Sequence, residues 1–467
     1  MNLRPTFSRR LVLPACLAIL TCSSSNSSRP GTGGTTGTAT GGSTDAGGGA
    51  ASGGTSGGGG AAGAAVVCGD AGVGTGASLA STSEDDGVSC TVAALPSASG
   101  LPSIALLPDP FKKLDGTEMT TKAEWTCRRE EIRKQAEMYA LGTKPPPPAV
   151  TGTVTSTAIT VNVTANGKSA SFSATVVLPT CGSAPYPAII GYGGVAPLDT
   201  SVIDSDGVAT INFDPLSVGA EGGGHGPNQT GAFYSLYPGG TETGLLVAWA
   251  WGVSRIIDVI AQSDGTILRA DALGVTGCSR YGKGAFVAGA FDERIALTLP
   301  VESGTAGVPI WRGIAKAEVG ANGNPSQSLA NAYGEQPWFA DGFSPFLADP
   351  TTNPIDTHEI VAMIAPRGLF IMDNPFIGEL SPQYGYVAAV AGAEVYTALG
   401  SQYNIAYNSG IQNGAHCAMR PEWSAPLKNS IEKFLTRTGH LAGEIVPNAV
   451  QNAPLSDWRD WTTPTLN

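Results

Sequence analysis

Residues 273–284 read Leu273-Gly-Val-Thr-Gly-Cys-Ser279-Arg280-Tyr-Gly-Lys283-Gly284, an apolar run passing through small residues into a helix-forming stretch. A buried strand that turns sharply into a helix is the setting in which a nucleophile elbow raises a serine above the carboxyl end of a sheet. Gly277 and Gly282 flank Ser279 where a side chain would crowd so tight a turn. The spacing is Gly-x-Ser-x-x-Gly, not the commoner Gly-x-Ser-x-Gly. On pattern alone, a glycine-rich turn with an ordinary capping serine therefore competes with a nucleophile.

The surroundings set the fold class. Apolar runs at 188–192, 208–213, 295–301 and 368–373 join 272–277 as candidates for buried parallel strands. Helical patterns at 245–262, 283–290 and 427–436 lie between or after them. Alternating strands and helices predict an α/β protein, a three-layer α/β/α sandwich around a mostly parallel sheet. Upstream, 121–141 reads as a helix, with Thr121 as N-cap, charges on one face and Trp125, Ile132, Ala136 and Tyr139 on the other. The prolines at 145–148 end it. Alternating stretches at 154–163 and 169–178 flank Asn166-Gly167, a strong hairpin signal.

Composition narrows the function. The 467 residues carry a net charge of −12, which opposes a nucleic-acid partner because that would need a clustered basic surface. A hydrophobic content of 42% is enough for a sizeable core. Four histidines and eight scattered cysteines without a Cys-x-x-Cys pair argue against structural zinc.

The beginning of the chain reads as an export signal over 1–22: Arg4, Arg9 and Arg10 precede an apolar run at 11–20 that is too short to span a bilayer. Ile19-Leu-Thr-Cys22 is similar to a bacterial lipoprotein cleavage box, in which the cysteine becomes the lipidated terminus. Thr21 departs from the usual small residue, so lipidation and free secretion both stay open. Residues 23–66, almost wholly Gly, Ser, Thr and Ala, read as a flexible tether. An extension over 67–90, a catalytic domain over 91–440 and an irregular tail over 441–467 complete the expected organisation.

A serine nucleophile needs a base, usually a histidine on a late loop, in the chain order Ser, acid, His. His225 and His358 come too early or in a helix-like stretch, and His440 ends the final helix. His416 follows the strand-like 403–407 and precedes the last helix, which makes it the natural base.

Three motifs then become specific: Gly277-Cys-Ser-Arg-Tyr-Gly-Lys-Gly-Ala285, Ala288-Gly-Ala-Phe-Asp-Glu-Arg-Ile-Ala296 and Pro300-Val-Glu-Ser-Gly304. With Thr121-Lys-Ala-Glu-Trp-Thr-Cys-Arg128, Trp249-Ala-Trp-Gly-Val-Ser-Arg-Ile-Ile-Asp258 and Ala365-Pro-Arg-Gly-Leu-Phe370, they resemble the glucuronoyl esterases of carbohydrate esterase family 15. The resemblance runs over roughly 91–438 and implies an α/β-hydrolase fold. It also implies hydrolysis of the ester between 4-O-methyl-glucuronic acid of glucuronoxylan and lignin alcohols, with no metal or organic cofactor. By motif, Ser279 matches the nucleophile, Glu302 the acid, His416 the base and Arg280 an oxyanion-hole donor. Lys283, Gln327 and Glu335 match residues that bind the sugar hydroxyls.

The resemblance further implies disulfides Cys278–Cys417 and Cys90–Cys127, which leaves Cys68 with Cys181 by elimination. It sets Glu379 where the family usually has a sugar-facing tryptophan, so altered sugar recognition is expected. Asp373, at the end of the run 368–373, competes with Glu302 for the place of the acid. A monomer in a secreted or cell-surface location is expected, touching a bacterial outer membrane only through a lipid anchor. The alternatives are an acetyl xylan or feruloyl esterase of the same fold, and a non-catalytic surface polysaccharide-binding protein.

Overall fold

The computed structural model describes residues 68, 74, 76–238, 242–316, 326–440, 442–448 and 453–467. The expected signal at 1–22 and tether at 23–66 lie outside them. The compact unit spans Ala64–Asn467, so extension and tail belong to the same body as the catalytic domain.

Among the described residues, its frame is one sheet of ten strands. In chain order these are β1 Ala149–Val154, β2 Ala158–Ala165, β3 Lys168–Val177, β4 Tyr186–Tyr192, β5 Ala209–Phe213, β6 Leu268–Cys278, β7 Ile295–Val301, β8 Gly368–Met372, β9 Ile405–Asn408 and β10 Ile445–Val446. They lie in the order β1-β2-β3-β5-β4-β6-β7-β8-β9-β10. The pairs from β1 to β3 and on to β5 are antiparallel, and the rest are parallel. This is the α/β-hydrolase layout, a mostly parallel sheet between helical layers. The central strands β7 and β8 are buried along their whole length, which is why they read as unbroken apolar runs. Asn166 (φ 51°) and Gly167 (φ 71°) form the tight β2–β3 turn with the positive φ angles that this dipeptide favours.

The α-helices are α1 Trp125–Ala136, α2 Thr200–Ser205, α3 Ala232–Leu236, α4 Leu245–Gln262, α5 Arg280–Phe291, α6 Trp311–Lys316, α7 Leu329–Glu335, α8 Thr357–Ala362, α9 Pro382–Ala398 and α10 Pro421–Phe434. One core cluster gathers buried residues of α1, α4, α5, α8 and α9, and a second gathers Ile203, Trp423, Leu427, Ile431 and Phe434 of α2 and α10. Helix α4 is long and apolar enough to cross a membrane, but most of it is buried inside the protein as a core helix.

Three sequence expectations change. The run 154–163 is not one strand: a turn separates β1 from β2, and the two pair antiparallel. The last helix starts at Pro421, not at 427, because Pro421 occupies its first turn and Pro426 is accommodated inside it. Most of the charges of α1 do not face solvent. Arg128, Arg129, Glu130 and Arg133 are buried, because the extension and distant segments of the catalytic domain supply partners. Arg133 pairs with Asp85, Arg129 with Glu293 at 2.9 Å, and Arg128 with Glu359 at 3.0 Å. Nearby, Glu84 takes Lys144 at 2.7 Å and also pairs with Arg255. The tail beyond residue 440 is mostly irregular, yet Trp458, Trp461 and Leu466 sit in the main core, and Trp461 Nε1 donates to the Leu107 carbonyl at 3.1 Å.

Among the described residues, three disulfides join Cys68–Cys181, Cys90–Cys127 and Cys278–Cys417, which fits an oxidising compartment.

Candidate active site

Strand β6 ends at Cys278 and α5 begins at Arg280, so the whole reversal falls on Ser279. Ser279 adopts φ 60° and ψ −127°, a conformation that L-residues rarely hold and that clusters at functional sites. Its N–H donates to the Val301 carbonyl at 3.0 Å, and the first turn of α5 follows it directly. The two flanking glycines are required by close approach. A Cβ on Gly277 would lie 2.4 Å from the Tyr281 carbonyl oxygen, and one on Gly282 would lie 2.4 Å from that of Val301.

Glu302 follows β7 directly. It is fully buried, with φ 45°, and its N–H donates to the Met372 carbonyl at 2.7 Å. Its Oε2 accepts from His416 Nδ1 at 2.5 Å and from the Cys417 N–H at 2.9 Å, and its Oε1 accepts from Asn374 Nδ2 at 3.1 Å. His416 is held on its loop through Glu302, while its neighbour Cys417 is tied covalently to Cys278 beside the serine. Arg420 secures the same loop from below, donating to Asn413 Oδ1 and the Ala415 carbonyl.

Asp373 points elsewhere. Its Oδ2 accepts from the Tyr407 hydroxyl at 3.2 Å, and burial pushes its pKa up to about 7. The carboxylate bonded to His416 is that of Glu302, and not that of Asp373.

Ser279 and His416 open into a cavity of about 810 Å³ that also takes in Arg280, Lys283, Gln327, Glu335 and Glu379. Lys283 is buried, not solvated: its Nζ donates to the Ser303 carbonyl at 2.5 Å and faces the Trp338 ring at 4.9 Å. Desolvation by burial drives its pKa down to about 7. Gln327 Nε2 donates to Glu335 Oε2 at 2.5 Å and to Asn331 Oδ1 at 2.9 Å. Arg280 is half-exposed and pairs with Glu221 at 2.9 Å.

Sequence reasoning missed Trp338 and Glu221. Trp338 brings an indole into the cavity that the sequence reading, looking near Glu379, left without one. Glu221 lies in a glycine-rich loop whose path no local pattern reveals. The other histidines stand apart from this geometry. His358 is buried against the Pro108 carbonyl at 2.9 Å, with its pKa pushed down to about 4 by burial. His225 lies 2.7 Å from Asp341 and 2.9 Å from the Tyr333 carbonyl.

The family described as "Glucuronyl esterase, fungi" matches residues 161–400. A 4-O-methyl-glucuronoyl methylesterase from Hypocrea jecorina is 39% identical over 378 residues, which cover 81% of this chain and 80% of that protein. The glucuronoyl esterase catalytic domain from the same organism superimposes with a TM-score of 0.72 at 39% identity, covering 80% of this chain and all of that one. A serine-to-alanine glucuronoyl esterase from Sporotrichum thermophile, in complex with methyl 4-O-methyl-β-D-glucopyranuronate, gives a TM-score of 0.71 at 37% identity, covering 81% of this chain and all of that one.

Proposed function

The chain belongs to the glucuronyl esterase family, and from that membership we propose that it is a serine esterase cleaving esters of 4-O-methyl-glucuronic acid through Ser279. The observation that carries this reading is the buried Glu302 bonded to His416 Nδ1 at 2.5 Å, with His416 and Ser279 lining one cavity.

Ser279 Oγ attacks the C6 carbonyl carbon of the uronate while His416 Nε2 takes its proton. Glu302 fixes the tautomer by accepting from Nδ1 and stabilises the imidazolium that forms. The carbonyl oxygen becomes an oxyanion facing the guanidinium of Arg280 and the N–H groups at the start of α5. Collapse expels the alcohol, which leaves with the proton from His416. Water, deprotonated in turn by His416, attacks the glucuronoyl-Ser279 ester, and His416 then gives that proton to Ser279 Oγ as the glucuronic acid leaves.

Lys283, Gln327 and Glu335 hold the sugar hydroxyls, with Trp338 lining the same wall. The alcohol side is an aryl or alkyl alcohol of lignin, and the acyl side a glucuronoxylan branch. Export as a monomer, with Cys22 as the lipid-bearing residue, is part of the same proposal, and the three disulfides support export.

The test is purified enzyme on benzyl glucuronate beside acetylated xylan and a feruloyl ester. The expected result is turnover of the glucuronate ester well above the other two. Faster cleavage of either rival overturns the reading.

A further inference from the structure

Glu221 lies between β5 and α3, in the run Gly219-Ala-Glu221-Gly-Gly-Gly-His225-Gly226, and takes no part in the steps above. Its side chain is mostly buried, 15% exposed, and its carboxylate is shared between two partners. Oε2 accepts from NH1 of Arg280 at 2.9 Å, and Oε1 accepts from Nε1 of Trp338 at 3.3 Å. One carboxylate thus joins the cation next to the nucleophile to the indole that faces Lys283.

The loop is fixed independently of Arg280. The Ala220 N–H donates to the Thr230 carbonyl at 2.9 Å, and the Gly222 N–H donates to Gln336 Oε1 at 2.7 Å. Further along, the His225 ring stacks on Tyr333 with centroids 3.9 Å apart. Arg280 is different. Its side chain is 50% exposed at the start of α5, and a long side chain so placed has several rotamers to choose from. A guanidinium aids an oxyanion only when its donors already point at it, since a donor that must reorganise during the reaction contributes far less.

We propose that Glu221 is a positioning residue for the esterase reaction. By holding NH1 of Arg280, it aims the remaining guanidinium donors at the carbonyl oxygen that becomes negative when Ser279 attacks. The proposal rests on the reading of Ser279 as nucleophile and Arg280 as oxyanion donor.

The test is a double-mutant cycle of Glu221→Ala and Arg280→Ala, with Glu221→Gln alongside, on benzyl glucuronate. Glu221→Ala is expected to lower kcat about tenfold, less than the loss of an oxyanion donor itself, with KM little changed. Glu221→Gln, which keeps one acceptor oxygen, should fall between it and the parent. In the Arg280→Ala background the same change should cost nothing more, because no guanidinium is left to aim.

A kcat loss under about threefold, a gain in kcat, or an equal loss with and without Arg280 overturns the proposal. Should Glu221→Ala fail to fold, Glu221→Gln in the same cycle decides by additivity: a loss that vanishes without Arg280 supports the proposal, and no loss or an equal loss without Arg280 overturns it. A parent that cleaves no glucuronate ester removes the premise and the proposal with it. An active parent with an additive cycle removes the positioning role alone.

Discussion

The two walls of the cavity are held in opposite ways. On the wall of Ser279, Glu302 and His416, chain segments far apart in sequence are fastened by a disulfide, a buried carboxylate with three hydrogen bonds, and backbone bonds to Val301 and Met372. On the wall of Gln327, Asn331 and Glu335, the polar groups are largely exposed and bond to one another. The first wall is built before substrate arrives, as charge development in a transition state requires. The second is satisfied internally, so a sugar hydroxyl must replace a bond already made, which costs affinity but leaves the chemistry untouched.

The comparison breaks most directly at the first wall. Ser279→Ala should lower kcat about a million-fold with the melting temperature near that of the parent, because one hydroxyl is lost from a folded frame. Activity within tenfold of the parent would leave Ser279 out of the chemistry. Replacing Cys278 and Cys417 together by Ser should come next. The closed loop spans 139 residues, and cutting such a tie costs about 2–4 kcal/mol, read as a lower melting temperature. Since His416 adjoins the bridge, kcat should fall with it more than KM rises. An unchanged kcat would mean that Glu302 and Arg420 hold the histidine without the bridge.

The second wall should answer in KM. Glu335→Gln replaces a charged acceptor for a sugar hydroxyl by a neutral one and should raise KM about tenfold at nearly constant kcat. Glu379→Trp at the cavity rim should lower KM by about threefold if an indole there reaches the sugar. Were KM unchanged, Glu379 would not be a sugar contact, and Trp338 would carry the aromatic face alone.

What could be read from the sequence follows the same division. Strands β4, β7 and β8 and the second half of β6 stood out because both faces are buried, and the elbow stood out because Gly277 and Gly282 punctuate it. Lys283 and the arginines of α1 were harder. A lone cation gives no sign that it will be buried until its partners are located, and those lie far away in the chain: the Ser303 carbonyl, Asp85, Glu293 and Glu359. The place of Glu221 depends on the path of a glycine-rich loop, which the sequence leaves open. Burial in the tail was hidden for a related reason: Trp458 and Trp461 are buried by tertiary contact, without regular structure that a periodicity would reveal.

The smallest effect on activity belongs to Asp373, although its sequence position at the end of a central strand made it a rival for the acid. Its carboxyl faces Tyr407 and not His416, so Asp373→Asn, which keeps an acceptor for the tyrosine hydroxyl, should leave kcat nearly unchanged. Stability is where the change should register. Burial raises the folded-state pKa of Asp373 from 3.8 to about 7, with the charge of Glu302 adding to the rise. Between those values the native protein keeps a proton that the unfolded chain has released. Stability is therefore lost as pH rises through that window, and the loss is complete above about pH 7. An amide has no proton to lose, so the melting temperature of the variant relative to the parent should climb from pH 4 to pH 8 and then level off. A flat difference across that range would mean that the carboxyl is ionised in the native state throughout. A kcat loss matching that of Glu302→Gln would transfer the role of the acid to Asp373.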